Sequence, residues 1–144
     1  MTTRSVRTLD VPADIEDVWA FISDQDERAN AISVVERYEH DPNDDRVVTW
    51  YLSLPIPFVS ATVGVDTVEL EREAPTFVRF KGESAVLDVE GQHELTETDT
   101  GTRLRSTFIV DGHMPGVESF FTRNLDRELD NLERALMDSL ELEA

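Results

Sequence analysis

Of the side chains suited to proton transfer near neutral pH, this 144-residue sequence holds three histidines. Only His93 falls in an apolar setting. In SAVLDVEGQHEL (84–95), Ala85, Leu87, Val89, Gly91, His93 and Leu95 share one strand face, and Asp88, Glu90, Gln92 and Glu94 share the other. His93 is therefore the candidate acid or base, or a neutral imidazole that holds a ligand carbonyl or hydroxyl. The competing reading is a core histidine bonded to a neighbouring strand or helix. Gly91, two residues earlier, marks either a bulge or room for a ligand beside the backbone. Asn124 stands among Phe120, Phe121 and Leu125, so its amide either reaches an interior space or stays on a wet helix flank. His113 in DGH (111–113) reads as a loop residue before a helix. His40 borders DPNDD (41–45), whose aspartates either hold a cation loosely or are simply solvated.

Other chemistries lack their residues. There is no cysteine, which excludes disulfides and thiolate nucleophiles or ligands. No glycine-rich phosphate loop, no ligand-spaced His/Asp/Glu set and no serine paired with a histidine occurs. The reading is of no catalytic residue beyond the candidate His93, no metal and no cofactor.

Charge narrows the partners. Thirty-one acids face 13 bases, giving a net charge of -18, and Lys81 is the sole lysine. Such a surface repels nucleic acid and anionic membranes, so neither is expected as a partner. Acidic, lysine-poor surfaces suit molar salt, where the short Debye length screens self-repulsion, and a halophilic origin is the expectation. No stretch approaches the roughly 18 apolar residues of a membrane span, and MTTRSVRTLDVP lacks an apolar leader core. A cytoplasmic protein of one domain (1–144), without a stable membrane anchor and either monomeric or dimeric, is expected.

Periodicity locates the strands and helices that carry these side chains. SVRTLDV (5–11) alternates as a short strand closed by Pro12. Ile15, Val18, Trp19 and Ile22 then recur at helical spacing, and a second short helix follows over roughly 26–31. Strand-like runs occupy 33–40, 46–54, 60–70, 77–82, 84–95 and 103–112, with turns at 41–45 and 97–102. Val117, Phe121, Leu125, Leu129 or Leu132, and Leu136 form the stripe of a long helix over about 117–140. The order β-αα-ββββββ-α predicts an α+β domain: a curved, antiparallel sheet of six to seven strands around a long C-terminal helix.

This order resembles the helix-grip fold of the START-like (SRPBCC) superfamily, which includes polyketide cyclases and lipid-transfer domains. The likeness rests on TLDVPADIEDVWAFISD, GQHELTETDTGTRLRSTFIV and VESFFTRNLDRELDNLERAL, and spans nearly the whole chain. Within the superfamily it is most similar to small stand-alone members related to a component of carbon monoxide dehydrogenase. The resemblance implies a deep, mainly apolar cavity between sheet and helix. Strand parity independently turns Trp50, Leu52, Val63, Val65, Phe80, Val89, His93, Phe108 and Val110 toward Phe120, Phe121, Asn124, Leu125 and Leu129. Each either lines that cavity or simply fills the core. LSLPIPFVSATVGV (52–65) adds a stiff connection in which Pro55 and Pro57 cannot donate to a ladder. Its Ile56 and Phe58 are expected to fold over the cavity mouth near Pro115, Val117 and Phe120, or to cap the core. The implied function is binding or transport of a small hydrophobic or amphipathic molecule. The alternatives are a cyclase, aromatase or dehydratase that uses His93, and an accessory factor of a redox enzyme.

Overall fold

The computed structural model describes residues 2–55, 62–114 and 116–142. The chain runs β1 (Thr2–Val11), α1 (Ile15–Ile22), α2 (Gln25–Ala31), β2 (Val35–Asp41), β3 (Asp44–Leu52), β4 (Val63–Glu73), β5 (Phe77–Glu83), β6 (Leu87–Thr98), β7 (Gly101–Gly112) and α3 (Val117–Ser139). All seven strands form one antiparallel sheet in the order β1-β7-β6-β5-β4-β3-β2. From β2 to β7 the strands are joined as consecutive neighbours, and β1 adds to the far edge against β7. The sheet curves around α3. This is the α+β helix-grip architecture.

Local chemistry explains the element ends. Asp24 caps α2, its Oδ1 accepting from the backbone N–H of Asp26 at 2.8 Å and of Glu27 at 3.2 Å. The β6–β7 hairpin pairs Thr98 with Gly101 around Asp99 and Thr100. Gly101 has φ of 155°, and a Cβ there would lie 2.1 Å from the carbonyl oxygen of Val11. Only glycine lets the hairpin close on the β1–α1 corner. The neighbouring Thr102 hydroxyl, fully buried, donates to the Ala13 carbonyl at 2.8 Å and fastens the same corner.

The sheet-facing stripe of α3 is Val117, Phe121, Leu125, Leu129, Leu132 and Leu136, all buried, with Phe120 buried beside it. Its flank runs along β1 through polar pairs: Thr3 with Thr122 at 3.0 Å, Ser5 with Asp126 at 2.7 Å, Arg7 with Asp130 at 2.6 Å and with Glu133 at 2.8 Å. Two strand residues rise about 6.8 Å and four helix residues about 6.0 Å, so the two ladders keep step over this length.

Most strand boundaries differ by one to three residues from those expected of the sequence; β1 starts at Thr2 rather than 5, β3 is Asp44–Leu52 rather than 46–54, and β7 starts at Gly101 rather than 103. β6 starts at Leu87 rather than 84, because the Ser84 hydroxyl accepts from the N–H groups of Val86 at 3.2 Å and Leu87 at 3.0 Å and makes a turn. Ala85 is consequently exposed and Val86 buried, the reverse of the predicted parity. β4 extends to Glu73 rather than 70. The proline-bearing connection does join neighbouring strands, β3 and β4, and Leu54 at its start is buried. The predicted lip of Ile56 and Phe58, like Ala61 and Pro115, lies outside the described residues.

Candidate functional site

The concave face is built in rows that cross the strands. One row pairs Phe80 with Gly91 and Gly91 with Phe108. The next pairs Val78 with His93 and His93 with Ser106. A third pairs Gly82 with Val89 and Val89 with Val110. A Cβ on Gly91 would stand 2.5 Å from Phe80 Cζ and 3.1 Å from Phe108 Cε1, so both rings rest on bare backbone. Phe80 and Phe108 meet edge to face at 6.0 Å, and Trp50 joins them 5.8 Å from Phe80.

Between this wall and α3 lies an apolar cavity of about 40 Å³, measured as space open to the centre of a water molecule. That exceeds the roughly 10–15 Å³ needed for one water, yet its open wall is entirely apolar, the kind of space that stays dry. Trp50, Leu52, Val65, Val89, Phe108 and Val110 line it from the sheet, and Phe121 and Leu125 from α3. Leu129, also expected to face the sheet, lines it too, and Leu87, Glu128, Ile32 and Val34, not among the expected cavity residues, complete the lining. Ile32 and Val34 are only half-buried, and they make the rim where the α2–β2 connection crosses α3.

Of the other candidate residues, Phe80, His93 and Phe120 are buried but set apart from the cavity lining, and Val63 is half-buried at the start of β4. Asn124 turns back on its own helix, donating to the Phe120 carbonyl at 2.7 Å and accepting from Arg127 at 2.5 Å. Phe58 lies outside the described residues.

Glu128 holds the rim in place. It is 3% exposed, and its carboxylate accepts from the Ser33 N–H at 2.8 Å, from the Ser33 hydroxyl and from Asn131 at 3.2 Å. These charge-assisted bonds tie the loop of Ile32 and Val34 to the terminal helix. Its spacing was a usable signal, since Glu128 is seven residues after Phe121 and four before Leu132, on the buried stripe.

His93 is fully buried. Its Nδ1 lies 2.7 Å from the Ser106 hydroxyl, whereas Nε2 has no partner. Burial, with a smaller contribution from the Arg28 charge, pushes its pKa down to about 3, so the ring is neutral at pH 7. Arg28 is likewise buried. Its Nη1 donates to the Ile22 carbonyl at 2.9 Å, the guanidinium sits 4.9 Å from the Phe80 ring centroid, and Nε is unpartnered. Burial lowers its pKa to about 10, with Glu69 opposing, and it stays charged at neutral pH.

The outer face is a lattice of ion pairs. Arg79 bonds Glu90 and Glu71, each at 2.9 Å, Arg103 bonds Asp10 at 2.9 Å, and Arg105 approaches Glu94 at 3.8 Å. Near the DPNDD turn, Asp41 and Asp44 serve the turn itself, accepting from the N–H groups of Asn43 and Arg46. His113, between β7 and α3, lies 3.1 Å from Asp88, with Asp111 also near. No helix among the described residues is long and apolar enough to cross a membrane.

The sheet, the long helix and the small apolar cavity between them define a helix-grip domain of START-like type. Residues 2–137 match the family described as polyketide cyclase/dehydrase and lipid transport, and the chain belongs to that family. No curated protein matches the sequence. Solved structures with the same fold include a conserved protein from Geobacillus kaustophilus (14% identity, TM-score 0.75, 98% of this chain and 95% of that one). Another is a START superfamily protein from Mycobacterium smegmatis (12% identity, TM-score 0.72, 96% and 97% coverage). A third is the Zhui aromatase/cyclase from a Streptomyces species (15% identity, TM-score 0.68, 95% of each chain). At these identities the likeness speaks for the fold alone.

Proposed function

We propose that this protein binds a small hydrophobic or amphipathic molecule between its sheet and α3, as a carrier or sensor. The observation that carries this reading is the wholly apolar cavity that reaches a half-buried rim at Ile32 and Val34. Folding alone would be served better by filling the space, because unfilled volume costs packing energy. A ligand larger than a few water molecules enters only as the lining side chains move apart. Family membership is consistent with this reading, since lipid transport is one of the family's described activities.

A cyclase-like reaction with His93 as acid or base has less support. An imidazole with a pKa of about 3 is neutral at pH 7, so it does not act as an imidazolium acid, and it is a weak base. We also read the acidic surface as an adaptation to high salt in an intracellular setting.

Titration with the neutral apolar fluorophore N-phenyl-1-naphthylamine tests the proposal. Saturable, one-to-one enhancement is expected, and it should be lost in Leu125→Trp, whose indole fills the cavity. A protein that melts cooperatively but gives no saturable enhancement would contradict it.

A further inference from the structure

Arg28 and His93 are two buried polar side chains with unmet hydrogen-bonding capacity. Both are buried, at 4% and 0% exposure, and each has a nitrogen without a partner: Nε of Arg28 and Nε2 of His93. The two residues share one neighbour. The Phe80 ring lies 4.9 Å from the Arg28 guanidinium carbon and 6.5 Å from the His93 ring. That same ring packs on Trp50 and Phe108, which line the cavity. Phe80 therefore stands between the wall of the apolar space and the two open nitrogens.

The acids around Arg28 are committed elsewhere. Glu69 takes two bonds from Arg72, at 2.6 and 3.1 Å, and Asp24 is exposed and caps α2. No carboxylate among the described residues makes an ion pair with Arg28, whose polar partner is the Ile22 carbonyl at the end of α1. A buried cation that no carboxylate pairs with directly, Glu69 and Asp24 acting on it only at a distance, is costly, and an entering anion would relieve that cost.

We propose that Arg28 and His93 receive the anionic head, a carboxylate or an ionised phenol or enol, of an amphipathic ligand whose apolar body occupies the cavity. One oxygen accepts from Arg28 Nε–H. Another, or the same one, accepts from His93 Nε2–H, in the tautomer whose Nδ1 accepts the Ser106 hydroxyl proton. The Phe80 ring moves off the guanidinium to admit the head. The inference rests on the proposed binding function and adds the chemistry of the ligand. A surface of net charge -18 repels anions, so any preference for one must arise inside the protein.

The test compares 2-naphthoate with methyl 2-naphthoate by isothermal titration calorimetry at pH 7 in 1 M KCl. The anion should bind at least about tenfold tighter than the ester, as a charge-assisted pair warrants. Arg28→Gln should reduce the anion to the level of the ester, and Arg28→Lys should keep part of the preference. Should the glutamine variant not fold, the wild-type protein decides by NMR: the Arg28 Nε–H and His93 ring nitrogen resonances shift with naphthoate and not with the ester. Equal binding of both probes, or an anion preference that survives in Arg28→Gln, overturns the anion site and leaves the binding function standing. Binding of neither overturns both.

Discussion

Alanine at Gly91 would press directly on the aromatic wall. Its methyl would lie 2.5 Å from Phe80 Cζ, 2.7 Å from Phe80 Cε1 and 3.1 Å from Phe108 Cε1. Carbon atoms in comfortable contact are about 3.5–4.0 Å apart, so the Phe80 ring must retreat by roughly 1 Å. Retreat disturbs its packing on Arg28 and Trp50, for the ring is 2% exposed. Overpacking of this kind costs about 1–3 kcal/mol, and alanine regains about 0.5–1 kcal/mol over glycine in a strand. The expected net loss is about 1 kcal/mol, within bounds of about 0 and 2.5, or a fall in Tm of roughly 3–4 °C for a chain of this size. Thermal melts of wild type, Gly91→Ala, Phe80→Leu and the double variant form the assay. Leucine is too short to meet the new methyl, so the cycle should show a favourable coupling of about 1 kcal/mol between the two changes. Strictly additive effects would refute the claim that Phe80 is seated on Gly91.

Three further outcomes follow from the polar interior and the surface. His93 has a folded-state pKa of about 3, below its ordinary 6.5, so its neutral form supports the fold fully above pH 6.5 and loses that support as pH falls toward 3. Relative to His93→Gln, wild-type stability should therefore decline below pH 6.5 by up to about 1.4 kcal/mol per pH unit, and parallel curves in denaturant titrations would contradict this. Glu128→Ala removes the acceptor for both Ser33 donors and should cost about 2–3 kcal/mol, with faster amide exchange over residues 32–34 as the local readout. Raising KCl from 0.1 to about 2 M should raise Tm, because screening shrinks from about 10 Å to under 3 Å around a net charge of -18; a Tm that falls with salt would argue against the high-salt reading.

The architecture was legible because its signals are long. Strands of 9 and 12 residues in β3 and β7 and a helix of 23 residues in α3 leave little ambiguity about period. The inward rows of Trp50, Val65, Phe108 and Val110 followed from parity alone. Short-range turn chemistry broke that parity at Ser84, where a side-chain hydroxyl replaced strand pairing and turned Ala85 outward. Arg28 and Glu128 were harder to read. Charged residues are ordinarily assigned to water, and a seven-residue helix such as α2 is too short for periodicity to show which face is buried. Their burial is decided by residues distant in sequence: Phe80 covers Arg28, and Ser33 satisfies Glu128 across 95 positions. The rim at Ile32 and Val34 escaped for the same reason, since only the docking of α2 on α3 brings it to the cavity.

Uptake of a ligand into the space between sheet and α3 is measured most directly by methyl-resolved NMR of the full chain, titrated with N-phenyl-1-naphthylamine. Shifts should concentrate on the methyls of Leu52, Val65, Val89, Leu125 and Leu129, while those of the exposed Val6 and Leu70 stay fixed. Shifts confined to Val6, Leu70 and other surface methyls, or none at saturating probe, would contradict a binding role for this cavity.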